Sequence, residues 1–273
     1  MAVDRRRILA YCAVGGLGGP VQSILAVRDA LSRYVVSVAV GAWSADARRK
    51  LEGGSPELRV VEVARPLGLG TMVTIWQLMR TIRLIDRQGC VIHANGLTEL
   101  AVLTPVLASS RLPTVVWIHN SEAPRSARAL RPMAPWLRRR VVVAAVSSLA
   151  ARTGHAVLGP ECRIEIIPNP VPRSVLGRWE PPRTGALRVA YLGTDRAHKG
   201  FDYLVDVVER TAGRFVWTIA CRPYAADPRQ WERLIGLRDR GVRVVGRVLD
   251  VAKIYSTSDV VFVPSRSESF CRV

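Results

Sequence analysis

The sequence predicts an α/β protein made of two Rossmann-like, parallel-sheet domains facing a cleft, the second of them incomplete. Three observations carry this expectation. Short β-branched runs alternate with helix-length segments along the chain. Most of these runs are apolar on consecutive rather than alternate positions, the pattern of strands covered on both faces. A proline-rich stretch then interrupts the alternation, which restarts beyond it.

In order, the first half offers strands at Ile8–Val14, Val35–Ala42, Leu58–Val63, Val91–Ala94, Thr114–Ile118, Val141–Ala145 and Ile164–Ile167. Between several of them lie helix candidates at Val21–Ser32, Met72–Gln88, Thr98–Ser109 and Ser147–Thr153. Residues 168–185 hold five prolines and two glycines in 18 positions, the composition of a linker. Beyond it come strands at Arg188–Leu192, Phe215–Ala220, Val242–Val245 and Val260–Val263, with helices at Phe201–Arg210, Pro228–Arg240 and Val251–Ser256. The expected organisation is an N-terminal domain over 1–170, a linker over 171–186 and a partial C-terminal domain over 187–273, because no closing helix follows the last strand. Ligands in such sheets bind beyond the carboxyl ends of the strands, so the residues just after each strand are the informative ones.

Composition narrows the function classes. A chain of 273 residues with 49% hydrophobic and 23% charged residues is globular, of a length for one large or two ordinary domains. No apolar stretch reaches the ~20 residues of a membrane span. Arg5–Arg7 followed by Ile8–Val14 reads as a first buried strand, since its apolar run ends in a glycine turn after seven residues. Five dispersed cysteines without a CxxC pair argue against a zinc or redox motif and suit a reducing cytoplasm. The net charge of +18 invites anionic partners, but 37 of the 40 basic residues are arginine and the excess is spread over both halves. Neither a recognition-helix motif nor an aromatic platform supports nucleic-acid binding. Arg5–Arg7, Arg48–Lys50 and Arg138–Arg140 together suggest a surface that rests peripherally on anionic lipid at the inner face of a membrane.

Three post-strand stretches carry chemistry. Gly15, Gly16, Gly18 and Gly19 follow the first strand, where backbone N–H groups can approach a phosphate or sugar, or simply make a tight turn. The spacing fails the dinucleotide fingerprint, because Val21 takes the third glycine position and no acidic residue ends the second strand. There is also no GxxxxGK[ST] loop. Gly193 to Gly200 follows the first strand of the second half and presents Arg196 and Lys199, cations suited to a leaving diphosphate. Pro264 to Phe270 follows the last strand and presents Glu268, whose carboxylate can accept hydrogen bonds from sugar hydroxyls. His93, after a buried strand, reads as a satisfied core histidine, with lining of an acceptor cleft as the alternative, and His155 and His198 read as surface residues.

The order glycine loop, Ile-His-Asn, Val-Ser, Ile-Pro-Asn-Pro-Val, Gly-x-x-x-x-x-Lys-Gly, Val-x-Val-x-Gly-x-Val and Pro-Ser-x-x-Glu-Ser-Phe resembles glycosyltransferase family 4 over residues 8–273. The resemblance implies the GT-B fold and a retaining hexosyltransferase that moves a hexose from a GDP- or UDP-linked sugar to a glycan or lipid-linked acceptor. By match, Gly15 and Gly16 would close over the donor phosphate, and His119 would point toward the donor sugar. Lys199 would bind the diphosphate, Val245 would meet the base through its backbone, and Glu268 would be the first Glu of an E-x7-E motif. Ser269 and Phe270 would offer backbone amides to the donor. No metal or other cofactor is expected beside the nucleotide-sugar co-substrate, since no DxD-type pair stands in a suitable turn. Three departures stand out. Thr194 takes the place of the family's Arg, with Arg196 two residues on as its substitute. Ala220-Cys221-Arg222-Pro223 replaces a glycine-rich turn, and the second Glu would fall three residues beyond Val273. The last departure supports an alternative reading, a non-catalytic truncated remnant of such an enzyme; a basic nucleic-acid binder is the third.

Overall fold

The computed structural model describes residues 7–12, 35–41, 59–63, 70–84, 90–119, 121–170, 185–221, 223, 226–246, 248 and 251–268, with only the backbone of 35–41 and 59–63. The expected helix Val21–Ser32 and the glycine loop with Gly15 and Gly16 lie outside these residues, as do Ser269 and Phe270. The chain divides into two units, Met1–Pro170 and Val171–Val273.

The first unit is a seven-stranded sheet in which every paired strand is parallel. Its strands are β1 (Arg7–Cys12), β2 (Val35–Gly41), β3 (Arg59–Val63), β4 (Cys90–Ala94), β5 (Thr114–Ile118), β6 (Val141–Ala145) and β7 (Ile164–Ile166), in the order β3-β2-β1-β4-β5-β6-β7. Leu9 to Cys12 are all buried, consecutive positions on both faces, because helices must cover a parallel sheet. Among the described residues the helices are α1 (Gly70–Leu84), α2 (Leu97–Ala108), α3 (Ala134–Arg138) and α4 (Ser148–Leu158). Every connection from β3 onward moves in one direction across the sheet, and right-handed crossovers then place α1 to α4 on the same face. α1 turns Thr74, Leu78 and Ile82 inward, one side of a helix at i, i+4 and i+8. α4 starts where Ser147 accepts a hydrogen bond from Ala150 N at 3.2 Å. It runs five residues past the expected Thr153, ending at Gly159 with φ +94°.

One stretch of this unit was not anticipated. Residues Arg125–Met133 form a 3₁₀ helix that leads into α3. The segment reads as polar and proline-broken, yet Ala127, Leu130, Ala134 and Leu137 are buried beneath its arginines. Only Ala127 and Leu130 lie inside the 3₁₀ helix, three apart as its repeat requires, and two buried positions are too few to show a period in the sequence.

The second unit is a four-stranded parallel sheet, β8 (Arg188–Leu192), β9 (Val216–Ala220), β10 (Val242–Val244) and β11 (Val260–Val261), in the order β10-β9-β8-β11. Among the described residues its helices are α5 (Phe201–Thr211), α6 (Pro228–Ile235) and α7 (Val251–Ser256). Phe201, Leu204, Val205 and Val208 of α5 pack with Trp217, Ile219, Trp231 and Leu234 in one core. The expected helix over Pro228–Arg240 stops at Ile235 and continues as a 3₁₀ turn over Arg238–Arg240. β11 is shorter than expected, with two ladder positions against β8. Side chains hold it at both ends. Asp259 accepts from Arg188 N at 2.8 Å and from Arg188 Nη2 at 2.7 Å before the strand, and the clamp described next lies after it.

Candidate functional site

In the second sheet the chain runs outward from β8 through β9 to β10, then returns to place β11 on the other side of β8. The strand order therefore reverses between β8 and β11, the place where sheets of this kind bind ligands at the carboxyl ends of their strands. The two stretches singled out in the sequence, Gly193 to Gly200 and Pro264 to Glu268, are the loops that follow these two strands. They are clamped together. Arg266 N donates to His198 O at 2.9 Å. The Arg266 guanidinium donates to the Ala197 carbonyl and makes a two-pronged ion pair with Asp202 at 2.8 and 2.6 Å. That guanidinium holds the Asp202 carboxyl down at about 2.

Gly200 sets how close the loops come. Its φ is +67°, and a Cβ there would lie 2.1 Å from the Pro264 carbonyl oxygen. Only glycine fits both conditions. This approach brings Lys199 Nζ to 2.5 Å from Glu268 Oε1, which also accepts from Ser265 Oγ at 2.7 Å. Burial alone would raise the Glu268 carboxyl. Hydrogen bonds from Lys199 and Ser265, with the nearby charges of Lys199 and His198, outweigh it and hold the group below its ordinary value. Both side chains are about one-quarter exposed, so the pair can be reached from solvent.

Asp195 supports the same loop from beneath and escaped the sequence reading. It is 2% exposed and accepts from Trp231 Nε1 at 3.2 Å and from Ala226 N at 3.1 Å, tying the loop after β8 to α6 and the residues before it. Gly193 leaves room for the Tyr191 ring, whose hydroxyl donates to Thr194 O at 2.7 Å. Thr194, at the family's Arg position, thus serves through its carbonyl, while Arg196 is solvent-exposed on the same loop. Val245 donates its backbone N–H to Ile219 O at 3.0 Å, so that group belongs to the sheet.

In the first unit the strand order reverses between β1 and β4, and another polar group gathers at that end. Asn95, directly after β4, is 3% exposed and donates its N–H to Tyr11 O at 3.1 Å. Its Nδ2 donates to Cys12 Sγ at 3.3 Å, and its Oδ1 stands 3.0 Å from His119 Nε2. His119, directly after β5, is 9% exposed and packs against Trp117 at 4.8 Å between ring centres. Burial, with the Glu99 carboxylate close by, pushes the Tyr11 and Cys12 groups upward and keeps both neutral. Glu99 lies in the first turn of α2, where the helix dipole favours a carboxylate. Gly96, with φ +148°, makes space for it, since a Cβ would sit 2.7 Å from Glu99 Oε2. Asn95 and Glu99 were not singled out in the sequence; the available signal was the place of Asn95 directly after β4 and of Glu99 in the first turn of the helix that follows.

His93 requires a correction. It is half-buried rather than fully in the core, and its enclosed Nε2 has no hydrogen-bond partner, so it is not satisfied. Burial lowers it to about 4, and it is neutral at pH 7. His198 is exposed, whereas His155 is half-buried with Nδ1 3.4 Å from Gly159 O. Among the described residues no group of three or more His, Cys, Asp or Glu is placed to hold a metal ion, and no helix is long and apolar enough to cross a membrane.

Comparison with known proteins adds to these observations. At the level of sequence, no curated protein matches the chain significantly. By structure, it is similar to Anabaena HepE in complex with UDP-glucose, with a TM-score of 0.76 at 17% identity over 97% of this chain and 75% of that one. A glycosyltransferase from Rickettsia africae gives a TM-score of 0.70 at 13% identity, over 96% and 73%. TarM gives 0.69 at 10%, over 98% and 82%. Such identities speak for the fold, two parallel α/β sheets of the GT-B type. Family profiles reach further: the one described as Glycosyl transferases group 1 matches residues 186–273, and the one described as Glycosyltransferase Family 4 matches residues 17–175. With over half its length matched by that profile, and with the sheets and post-strand loops in this order, the chain belongs to glycosyltransferase family 4.

Proposed function

We propose that this protein is a retaining glycosyltransferase that moves a hexose from a UDP- or GDP-linked donor to a glycan or lipid-linked acceptor. The observation that carries the reading is the Lys199–Glu268 pair, held 2.5 Å apart where the strand order reverses between β8 and β11. The complexes of the Anabaena neighbour with UDP-glucose and with UDP make a nucleotide-diphospho-sugar the class of ligand to test.

In the proposed reaction the bond from the sugar's anomeric carbon to the diphosphate oxygen breaks, and the electron pair leaves with the diphosphate. The acceptor hydroxyl oxygen bonds to that carbon from the same face, and its proton passes to the departing phosphate. Lys199 exchanges Glu268 for the diphosphate and offsets its growing charge, with Arg196 beside it on the loop. Glu268, released from Lys199, accepts hydrogen bonds from the hydroxyls of the transferred sugar. We assign to His119 the contact with that sugar, its ring oriented by Asn95. Val245 meets the base through its carbonyl, its N–H being engaged by Ile219. Gly15, Gly16, Ser269 and Phe270 keep the donor-binding roles implied by the family. The reaction is proposed to need no metal.

Calorimetry with UDP and GDP in the presence of EDTA tests this reading. Lys199→Ala should weaken the nucleoside diphosphate by roughly 10- to 100-fold, the range of a charge-assisted hydrogen bond. Glu268→Gln should preserve or tighten diphosphate binding, because Lys199 is freed, while abolishing sugar transfer. Failure of every nucleoside diphosphate to bind would refute the proposal.

A further inference from the structure

The helical layer over the first sheet carries an outer surface that the reaction does not use. On α1 the residues facing away from the sheet are apolar and large: Met72 is 67% exposed, Val73 47%, Trp76 59% and Leu84 76%. They recur at intervals of three, four and eight, so they lie along one side of the helix, opposite Thr74, Leu78 and Ile82. Arg80 and Arg83 share that exposed side, and the Arg80 guanidinium lies 5.7 Å from the centre of the Trp76 ring. No acidic residue occurs in α1.

The second component is the 3₁₀ helix Arg125–Met133 in the same layer. α2 packs against both it and α1. With three residues per turn, Arg125, Arg128 and Arg131 fall in one row, and all three are exposed. The segment 123–140 contains no acidic residue. A solvated protein surface has no use for four exposed large apolar side chains on one helix side, and a polyanion in water would be served by the arginines alone. Apolar side chains flanked by arginine, with no carboxylate in α1 or in 123–140 and Glu122 just outside the second segment, match an anionic bilayer: Trp76, Met72 and Leu84 enter the headgroup boundary while the arginines meet lipid phosphates.

We propose that the outer side of α1, together with the Arg125–Arg128–Arg131 row, is a docking surface for anionic lipid membrane. It deepens the proposed function by placing the protein where a lipid-linked acceptor would be found, yet it can be tested apart from it. The full chain is floated with phosphatidylcholine vesicles, with and without phosphatidylglycerol, at low and high salt. Binding is expected to the anionic vesicles, and to weaken with salt. Replacing Arg125, Arg128 and Arg131 by Gln should weaken it about 100-fold, at roughly fivefold for each arginine. Trp76→Ser should weaken it roughly tenfold. Both sets of changes are at exposed positions, and Met72→Ser with Leu84→Ser provides a second apolar variant should Trp76→Ser alter the melting temperature. Failure of the wild-type chain to bind anionic vesicles at low salt would overturn the inference. So would binding that all these variants retain, or self-association through Trp76 without vesicle binding. Vesicle binding by a chain that binds no nucleotide would leave this surface standing while sinking the proposed reaction, and the reverse result would do the opposite.

Discussion

Replacing Gly200 by alanine tests the account of the second unit at its narrowest point. Two costs follow from the structure. The first is conformational: at φ +67° an alanine sits in the left-handed region, at about 1–2 kcal/mol. The second is steric. The new Cβ would lie 2.1 Å from the Pro264 carbonyl oxygen, roughly 1 Å closer than any tolerable contact, and that neighbour is backbone. The loops after β8 and β11 must separate, stretching the Arg266–His198 hydrogen bond and the Lys199–Glu268 pair. The combined loss should be about 3–5 kcal/mol. Gly213→Ala is the control, because Gly213 has φ +86° but nothing within 4 Å of a Cβ, leaving only the conformational cost of about 1–2 kcal/mol. Urea unfolding, with amide hydrogen exchange of β8 and α5 to localise the effect, measures the difference. Diphosphate affinity should fall in Gly200→Ala by about 100-fold, the cost of a displacement near 1 Å, and stay unchanged in Gly213→Ala. Equal losses of stability in the two variants would refute the claim that Gly200 exists to let the loops meet.

Two further predictions concern buried groups. Asp195→Ala should destabilise the second unit by about 2–4 kcal/mol, because Trp231 Nε1 and Ala226 N both lose their acceptor; Asp195→Asn, which keeps one acceptor oxygen, should cost less. Urea midpoints for the two variants check the ranking, and equal midpoints would contradict it. His93 is lowered to about 4 from an unfolded value near 6.5, so the unfolded chain binds the extra proton in that interval and stability falls as pH drops. The loss between pH 6.5 and 4 should be on the order of 3 kcal/mol in the wild type. It should shrink in His93→Leu, as read from stability at each pH. A wild-type profile flat over that window would contradict a neutral, desolvated imidazole.

The strands were legible because burial on both faces leaves a local trace, consecutive apolar residues such as Leu9 to Cys12. α4 was legible at its start, where Ser147 has the side chain to cap it, and less so at its end. The 3₁₀ segment at Arg125–Met133 was not, because its buried residues are few, spaced at three, and set among arginines and prolines. Lys199 and Glu268 could be singled out from their places after strands. Asp195 and Arg266 could not be told from ordinary loop residues, since they act through partners 36 and 64 positions away.

Local patterning by itself determined the alternation of strands and helices, their burial on both faces and the break near residue 170, for hydrophobic period and proline content act over a few residues. Strand order was decided only in the tertiary structure. By placing β11 beside β8 and β4 beside β1, it chose which loops became neighbours, and so which of many polar residues converge. That choice rests on packing between segments distant in the chain, whose partners no short window of sequence contains.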